Sequence, residues 1–219
     1  MGNRRTRGQN IRRDDIMTIA VKMFVKKGIH NTGMRDIATK LDMTAAGLYY
    51  SIKSKQDIID SIAELASLSV QNLRELRRRL GNVSPTEALT DCIRYLIRRA
   101  NQSHDHLLFL NREFLSFSPR SQQSMMQGIR DIVRFFEDLL KEGVEAGEFQ
   151  VRNPTIVAFQ VWTLHNEWAL RYWFWRDHLS PEEYEDQAVE VILKQVLPPF
   201  SSSKSTGSRQ ERSSIATDD

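Results

Sequence analysis

The residue types that enzymes use for catalysis occur in this sequence, but they do not stand at catalytic spacings. There is no glycine-rich phosphate loop, no nucleophile elbow and no pair of carboxylates arranged for acid–base chemistry. Asp14 and Asp15 are adjacent, but they lie at the start of a predicted helix, where they favour the helix dipole. We therefore expect a protein that is not an enzyme and that uses no cofactor.

Metal, disulfide and membrane chemistry are not indicated either. Cys92 is the single cysteine, so the chain forms no internal disulfide and no cysteine-based metal site. His, Asp and Glu do not recur at ligand spacing on one helix, so we expect no metal. The sequence has no run of about 18 apolar residues to span a membrane and no secretory signal. We expect a cytoplasmic protein without a membrane partner.

Charge divides the sequence near residue 55. Residues 1–55 contain 12 Lys/Arg and 4 Asp/Glu, a net charge of +8. Residues 56–219 contain 19 Lys/Arg and 24 Asp/Glu, a net charge of −5. This asymmetry suggests a polyanion partner for the first part, although basic chain ends also serve solubility.

Local signals predict an all-α fold. Apolar residues recur at helical spacing from Ile16 to Phe24, and two short helices, 34–41 and 45–51, follow with a tight turn between them. A helix over 56–80 is long enough to join two domains. Ser84, Ser118, Asn153 and Ser180 each precede a proline suited to a first helical turn, and Glu87 and Glu183 complete two capping boxes. The later helices are therefore predicted over 85–102, 105–116, 119–146, 154–177 and 181–197.

These elements predict a three-helix helix-turn-helix domain followed by a second helical domain. The predicted boundaries are a flexible basic arm at 1–10, the helix-turn-helix domain at 11–55, the second domain at 56–200 and a disordered Ser-rich tail at 201–219.

Residues 11–60 resemble the DNA-binding domain of tetracycline-repressor (TetR) family regulators. The matching residues are Thr32-Gly33-Met34-Arg35-Asp36-Ile37-Ala38, Met43-Thr44, Leu48-Tyr49-Tyr50 and Lys53-Ser54-Lys55. The resemblance implies a ligand-responsive transcriptional regulator, expected to be a repressor, that binds double-stranded operator DNA. It also implies that the third helix enters the major groove, that residues 11–55 form the DNA-binding domain, and that residues 56–200 form a helical ligand-binding and dimerisation domain.

The resemblance assigns roles to individual residues. Thr44, Tyr49 and Lys55 match positions that contact DNA phosphates, although Tyr49 packing between helices and Lys55 capping a helix are the alternatives. The positions near the bases or groove wall are Arg35, Ala45, Ala46, Gly47 and Tyr50. The predicted DNA-binding set is completed by Arg4, Arg5, Arg7 and Thr32.

The sequence departs from the family pattern at three places. Asp42 stands where the family usually has Gly in the turn, and Ile52 replaces a usual Phe. A Gly that is common at position 46 has moved to Gly47. Because Ala45 and Ala46 also lack polar side chains, we expect methyl contacts, the arginine-rich arm and DNA shape to contribute more of the specificity.

All four tryptophans lie between residues 162 and 175. The family pattern implies that the last two large helices pair with those of a second subunit, and a homodimer matches a two-fold operator. The alternative is that these aromatic residues form the core of one subunit. A helical adaptor that binds another protein through this segment is a separate hypothesis. Deletion of residues 1–55 distinguishes a regulator from such an adaptor. A regulator loses its function without these residues, whereas an adaptor could keep its activity.

Residues 108–179 loosely resemble a subgroup of the family that responds to acyl-CoA thioesters. The matching pieces include Asn111-Arg112-Glu113 and Asn166-Glu167-Trp168. The resemblance implies a fatty-acyl or other acyl-CoA effector, with an apolar drug-like ligand as the alternative. Polar residues inside apolar runs need partners, although a satisfied core role is the alternative for His165. The predicted ligand contacts are Phe109, Arg112, Glu113, Phe136, Phe159, Trp162, His165 and Asn166. Bound ligand would tilt the 56–80 helix and change the separation of the two DNA-binding heads.

Overall fold

The computed structural model describes residues 13–66 and 69–198 of the chain, and all regular structure in these ranges is helical. A 3-10 turn, Phe114–Ser116, lies between α7 and α8. The predicted all-α class is thus confirmed. The helices are α1 Arg13–Lys27, α2 Met34–Lys40, α3 Ala45–Ser51, α4 Lys55–Ala66, α5 Ser69–Leu80, α6 Pro85–Gln102, α7 His104–Arg112, α8 Pro119–Glu145, α9 Pro154–Leu170, α10 Tyr172–Trp175 and α11 Pro181–Val196.

The predicted helix starts are confirmed by their caps. The Ser84 side chain accepts from the Glu87 amide at 3.1 Å, while Glu87 Oε2 accepts from the Ser84 amide at 3.0 Å. Ser180 and Glu183 form the same reciprocal pair on α11. Ser118 and Asn153 cap α8 and α9 through their side chains. These local bonds satisfy amides that have no partner inside the helix, so the start positions follow from the sequence.

The turn between α2 and α3 contains one residue with a left-handed backbone conformation. Asp42 has φ of +56°, in the left-handed region that glycine adopts most easily. The turn is closed by the Met43 amide, which donates to the Ala38 carbonyl oxygen at 3.0 Å. Asp42 therefore replaces the usual glycine without a change in the path of the chain.

Three predicted helices differ from those observed. The helix predicted over 105–116 ends at Arg112, and the 3-10 turn Phe114–Ser116 follows it. The segment predicted as one helix over 56–80 consists of α4 and α5, with residues 67 and 68 between them outside the described residues. The helix predicted over 154–177 ends at Leu170, because Arg171 has non-helical angles of φ −118° and ψ 29°, and α10 follows. The predicted arm at 1–10 and tail at 201–219 lie outside the described residues.

The first hydrophobic core joins α1–α4 to the α7 region. Its buried residues come from α1, α2, α3 and α4, together with Phe109, Leu110 and Phe117. The Phe24 ring stacks on Phe109 with centroids 5.4 Å apart, and Phe117 contacts Phe109 edge-on at 5.8 Å. The DNA-binding head thus shares its core with residues nearly a hundred positions further along the chain.

The second core is formed by α5, α6, α8, α9 and α11. A buried carboxylate, Glu185 of α11, fixes the last helix against α6. It accepts from Arg94 Nη1 at 3.0 Å and from Arg98 Nε and Nη2, both at 2.7 Å. Since both arginines converge on one buried acid, the relative position of α6 and α11 is well determined.

Candidate nucleic-acid interface

The α2–turn–α3 unit rests on three buried apolar side chains. Ile37 and Ala38 of α2 and Leu48 of α3 are almost fully buried, as the sequence predicts. Ala38 is small enough for the two short helices to pack closely. This arrangement fixes α3 so that its opposite face is directed to solvent.

The exposed face of α3 contains two tyrosines. Tyr50 is 95% exposed and Tyr49 is 50% exposed, so neither phenol is used to build the core. Ala46 and Thr44 are also exposed on this helix, while Ala45 and Gly47 are half-buried. A phenol that is almost wholly in solvent has no packing role in the isolated chain, which indicates a surface available to a partner.

Thr44 begins α3 and is well suited to a second contact. Its Oγ1 accepts from the Gly47 amide at 3.0 Å, and the hydroxyl proton therefore remains available for donation. A Cβ at Gly47 would lie 3.2 Å from Thr44 Oγ1 and 3.5 Å from Met43 Cε. Gly47 thus leaves room for the cap of the helix that carries the exposed face.

Two residues of the predicted DNA-binding set are engaged inside the head. Thr32 is buried, and its hydroxyl donates to the Gly28 carbonyl oxygen at 2.9 Å. Lys55 Nζ donates to the carbonyl oxygens of Ile29 at 2.9 Å and Thr32 at 3.2 Å. The structure therefore gives Thr32 a framework position and ties Lys55 to the α1–α2 turn.

The remaining DNA-binding predictions fall into two groups. Arg35 is exposed in the first turn of α2, on the same head as α3. Arg4, Arg5 and Arg7 lie outside the described residues.

The eight predicted ligand residues do not converge on one cavity. Phe109 belongs to the first core, whereas Phe136 is fully buried in the second. Phe159 is 51% exposed and Arg112 is exposed. These side chains are therefore distributed over the two cores and the surface of the described structure.

The described part of the chain has surface cavities in at least three places. They measure about 590, 430 and 360 Å³ and lie, respectively, between α6 and α11, beside α10, and along the first turns of α8. Trp168 and Tyr172 line the second of them. None of the three is lined by a predicted ligand residue.

A polar group is nevertheless buried where α7 meets α9. Asn111 Nδ2 donates to Asn166 Oδ1 at 3.2 Å, and Asn166 Nδ2 donates to the Trp162 carbonyl oxygen at 3.0 Å. His165 is buried beside them, and burial lowers its pKa to about 4, so its imidazole is neutral near pH 7. The half-buried Glu113 accepts from the Ser116 hydroxyl at 3.3 Å. The buried Asn166 is thus satisfied by protein partners, one of which is the exposed Asn111.

Sequence reasoning missed Asp60. This α4 carboxylate accepts from the Ser118 amide at 3.3 Å and from the Ser121 hydroxyl at 2.8 Å, both at the start of α8. The feature of the sequence that could have indicated it is a carboxylate inside the otherwise apolar stretch around Ile58, Ile59 and Ile62. Its partners, however, lie about 60 positions away and are not visible in a local pattern.

Over the described ranges, no group of three His, Cys, Asp or Glu side chains is placed to hold a metal ion. Among those same residues, no helix is both long and apolar enough to cross a membrane.

Family models match most of the chain. The model of bacterial regulatory proteins of the tetR family matches residues 16–62, and that of the tetracyclin repressor-like C-terminal domain matches residues 82–196. The HTH-type transcriptional repressor KstR2 of Mycolicibacterium smegmatis is 25% identical over 185 residues, which are 83% of this chain and 89% of that protein.

Solved structures show the same fold. AibR in complex with isovaleryl coenzyme A and operator DNA has a TM-score of 0.67 at 22% identity, over 84% of this chain and 98% of that one. FadR from Bacillus subtilis in complex with stearoyl-CoA has a TM-score of 0.65 at 15% identity, over 82% of this chain and 97% of that one.

Proposed function

We propose that this chain, which belongs to the tetracycline-repressor (TetR) family of transcriptional regulators, is a ligand-responsive repressor. In this proposal it binds a two-fold operator as a homodimer. Its curated relatives are regulators and not enzymes, and the chain likewise is not an enzyme. The observation that carries the DNA-binding proposal is the exposed face of α3, where Tyr50 is 95% exposed on a helix fixed by its buried side.

The α3 face suits the major groove in shape and chemistry. Thr44 and Tyr49 offer hydroxyl groups to phosphates, and Tyr50 offers an aromatic ring with a polar end to the groove. Ala45, Ala46 and Gly47 present small groups that allow close approach to the bases. Arg35 adds a guanidinium beside this face. Lys55 contributes to DNA binding by holding the head together, since its ammonium is already bonded within it.

Exposed apolar side chains on the last helices support a homodimer. Ile156 and Phe159 on α9 are 57% and 51% exposed, and Trp173 on α10 is 66% exposed. Val191 of α11 is also exposed. Apolar groups of this size and number on one domain are typical of a protein interface. A dimer would place two α3 helices to read the two halves of an operator.

An acyl-CoA is the effector class that we propose. The support is the fold shared with AibR and FadR, whose solved complexes contain isovaleryl coenzyme A and stearoyl-CoA. The α7–α9 contact contains the buried Asn166, which accepts from the exposed Asn111, and the exposed Arg112 lies at the end of α7. An acyl chain would separate these two helices, and the guanidinium would bind a phosphate of the coenzyme.

The DNA proposal is tested by selecting duplexes from a random pool with the full chain and measuring affinity by fluorescence anisotropy. Tyr50→Ala is expected to lower affinity for the selected duplex about tenfold. Leu115→Ala is the matched control, because Leu115 is 87% exposed but lies beyond α3, on the 3-10 turn. Failure to enrich any sequence would contradict the proposal.

The effector proposal is tested by titrating the DNA complex with stearoyl-CoA, isovaleryl-CoA, free coenzyme A and the apolar dye rhodamine 6G. Release by an acyl-CoA but not by coenzyme A or the dye supports the proposed class. Release by the dye alone would replace it with the drug-like alternative. An unchanged affinity with every probe would overturn the effector proposal and leave DNA binding intact.

A further inference from the structure

The start of α8 is bonded to α4 by a single carboxylate. Asp60 Oδ1 accepts from the Ser121 hydroxyl at 2.8 Å and from the Ser118 amide at 3.3 Å. The negative charge therefore lies at the amino end of a 27-residue helix, where the helix dipole favours it. Asp60 caps a helix that belongs to the other part of the chain.

Other contacts hold the same junction. Gln56, one turn before Asp60, has its amide nitrogen 3.5 Å from the Ser116 carbonyl oxygen. Phe117, directly before the α8 cap, is buried in the first core against Phe109. The last residues before α8 are thus fixed to the DNA-binding head by both polar and apolar contacts.

At its beginning, α4 is bonded to the head itself. Lys55 Nζ donates to the Ile29 and Thr32 carbonyl oxygens of the α1–α2 turn. A single stretch of α4 therefore connects the α1–α2 turn, at Lys55, with the first turn of α8, at Asp60. None of these contacts involves a residue of α5.

At its other end, α8 belongs to the second domain. Ile132, Phe136 and Leu140 are buried in the second core, against helices that include α9. The rise of 1.5 Å per residue gives α8 a length of about 40 Å. A displacement of α8 in the second core is thus carried by a continuous helix to the Asp60 contact.

From this arrangement we infer that Asp60 is a positioning residue that couples the second domain to the DNA-binding head through the first turn of α8. This route is additional to the α4–α5 connection along the chain. The inference rests on the proposed function, since it concerns how occupancy of the second domain and of DNA affect each other. Coupling between two sites is reciprocal, so DNA binding to the head must also alter α8.

The test is hydrogen exchange of the full chain with and without the selected duplex, followed by mass spectrometry. Peptides over residues 44–52 report DNA binding, and peptides over residues 117–127 report the α8 junction. In the wild type, DNA is expected to change exchange rates in the second peptide by about fivefold or more, the lower end of typical coupling. Asp60→Ala, which removes the oxygen that accepts both bonds, should abolish that change while 44–52 remains protected.

Glu148 provides a matched control. Its Oε2 accepts from the Thr86 amide at 3.0 Å and the Thr86 hydroxyl at 2.7 Å, so it also caps a distant helix through one amide and one hydroxyl. Glu148→Ala, which removes this cap in the same way, should retain the DNA-dependent change at 117–127. Ser121→Ala, which removes only the hydroxyl donor, is the milder second variant and should reduce the change.

The outcomes separate the two proposals. Protection at 44–52 with no change at 117–127 in the wild type overturns the coupling and leaves DNA binding in place. An equal change in Asp60→Ala and the wild type also overturns it, as does an equal loss in Glu148→Ala. No protection at 44–52 contradicts DNA binding itself, and the coupling with it.

Discussion

Lys55 Nζ donates to the Ile29 carbonyl oxygen at 2.9 Å, across 26 positions of sequence. The same ammonium donates to Thr32, so it bridges two carbonyls at the end of the α1–α2 turn. The sequence resemblance implies a phosphate contact for this lysine, whereas the structure shows it bonded within the head. A phosphate contact would make DNA affinity depend more steeply on salt concentration, whereas a contact within the head would not.

Lys55→Met should therefore lower the free energy of unfolding by about 1–3 kcal/mol, the value of hydrogen bonds from a charged donor. DNA affinity should fall, but the slope of log affinity against log salt concentration should stay that of the wild type. A phosphate contact would instead reduce the slope by about one. Lys53→Met is the control, because Lys53 is exposed on the same connection.

Gly143 lies where the Phe149 ring packs against α8. A Cβ at Gly143 would lie 1.9 Å from Phe149 Cδ2, so Gly143→Ala must displace the ring from the second core. We expect a loss of about 3 kcal/mol in denaturant unfolding. Gly147→Ala is the comparison, since Gly147 has φ of +75° and a Cβ added there would meet no described atom within 4 Å. Its expected cost is about 1 kcal/mol, from backbone strain alone.

His165 predicts a specific pH dependence. Burial lowers its pKa to about 4, below the ordinary value of 6.5 in the unfolded chain. The unfolded state therefore takes up a proton first, and the stability present above pH 6.5 is lost as pH falls towards 4. Between pH 7 and pH 5 the loss should be about 2 kcal/mol.

The contribution of His165 is isolated by comparing the wild type with His165→Gln in urea unfolding at both pH values. The variant should lose about 2 kcal/mol less than the wild type over this interval. His30→Gln, at an exposed position, should leave the wild-type dependence unchanged. Equal losses in the wild type and His165→Gln would show that the imidazole is not buried as a neutral group.

Phe159 tests the proposed dimer. Its ring is 51% exposed on α9, so Phe159→Glu should leave the fold intact but place a charge in the interface. The dimer dissociation constant, measured by sedimentation velocity, is expected to rise at least about tenfold. Leu115→Glu introduces the same charge at an 87% exposed site on the 3-10 turn and should not alter assembly. A wild-type chain that sediments as a monomer would contradict the interface.

Much of the fold can be predicted because its signals are local. Ser84 with Glu87, and Ser180 with Glu183, bond over three residues, so each helix start is encoded in four consecutive positions. The helix-turn-helix is predictable for a similar reason, since Ile37, Ala38 and Leu48 lie within twelve residues. The left-handed backbone at Asp42 follows from the short turn between them.

The candidate ligand residues are less predictable. Phe109 and Phe136 are both aromatic and both helical, yet they are buried in different cores. Periodicity identifies which face of a helix is buried, but it does not identify the helix that covers that face. The set of ligand contacts predicted from the sequence therefore includes residues that are buried in different cores.

The sequence by itself determined the all-α class, the capped starts of α6, α8, α9 and α11, the exposed character of α3 and the family. The tertiary structure alone decided that Lys55 bonds to the α1–α2 turn, that Phe109 completes the core of the head, and that Asp60 caps α8. The physical reason is the range of the interactions. Caps and turns are set by neighbours a few residues away, whereas these three contacts join residues 26 to 85 positions apart, and only the packing of whole helices brings such residues together.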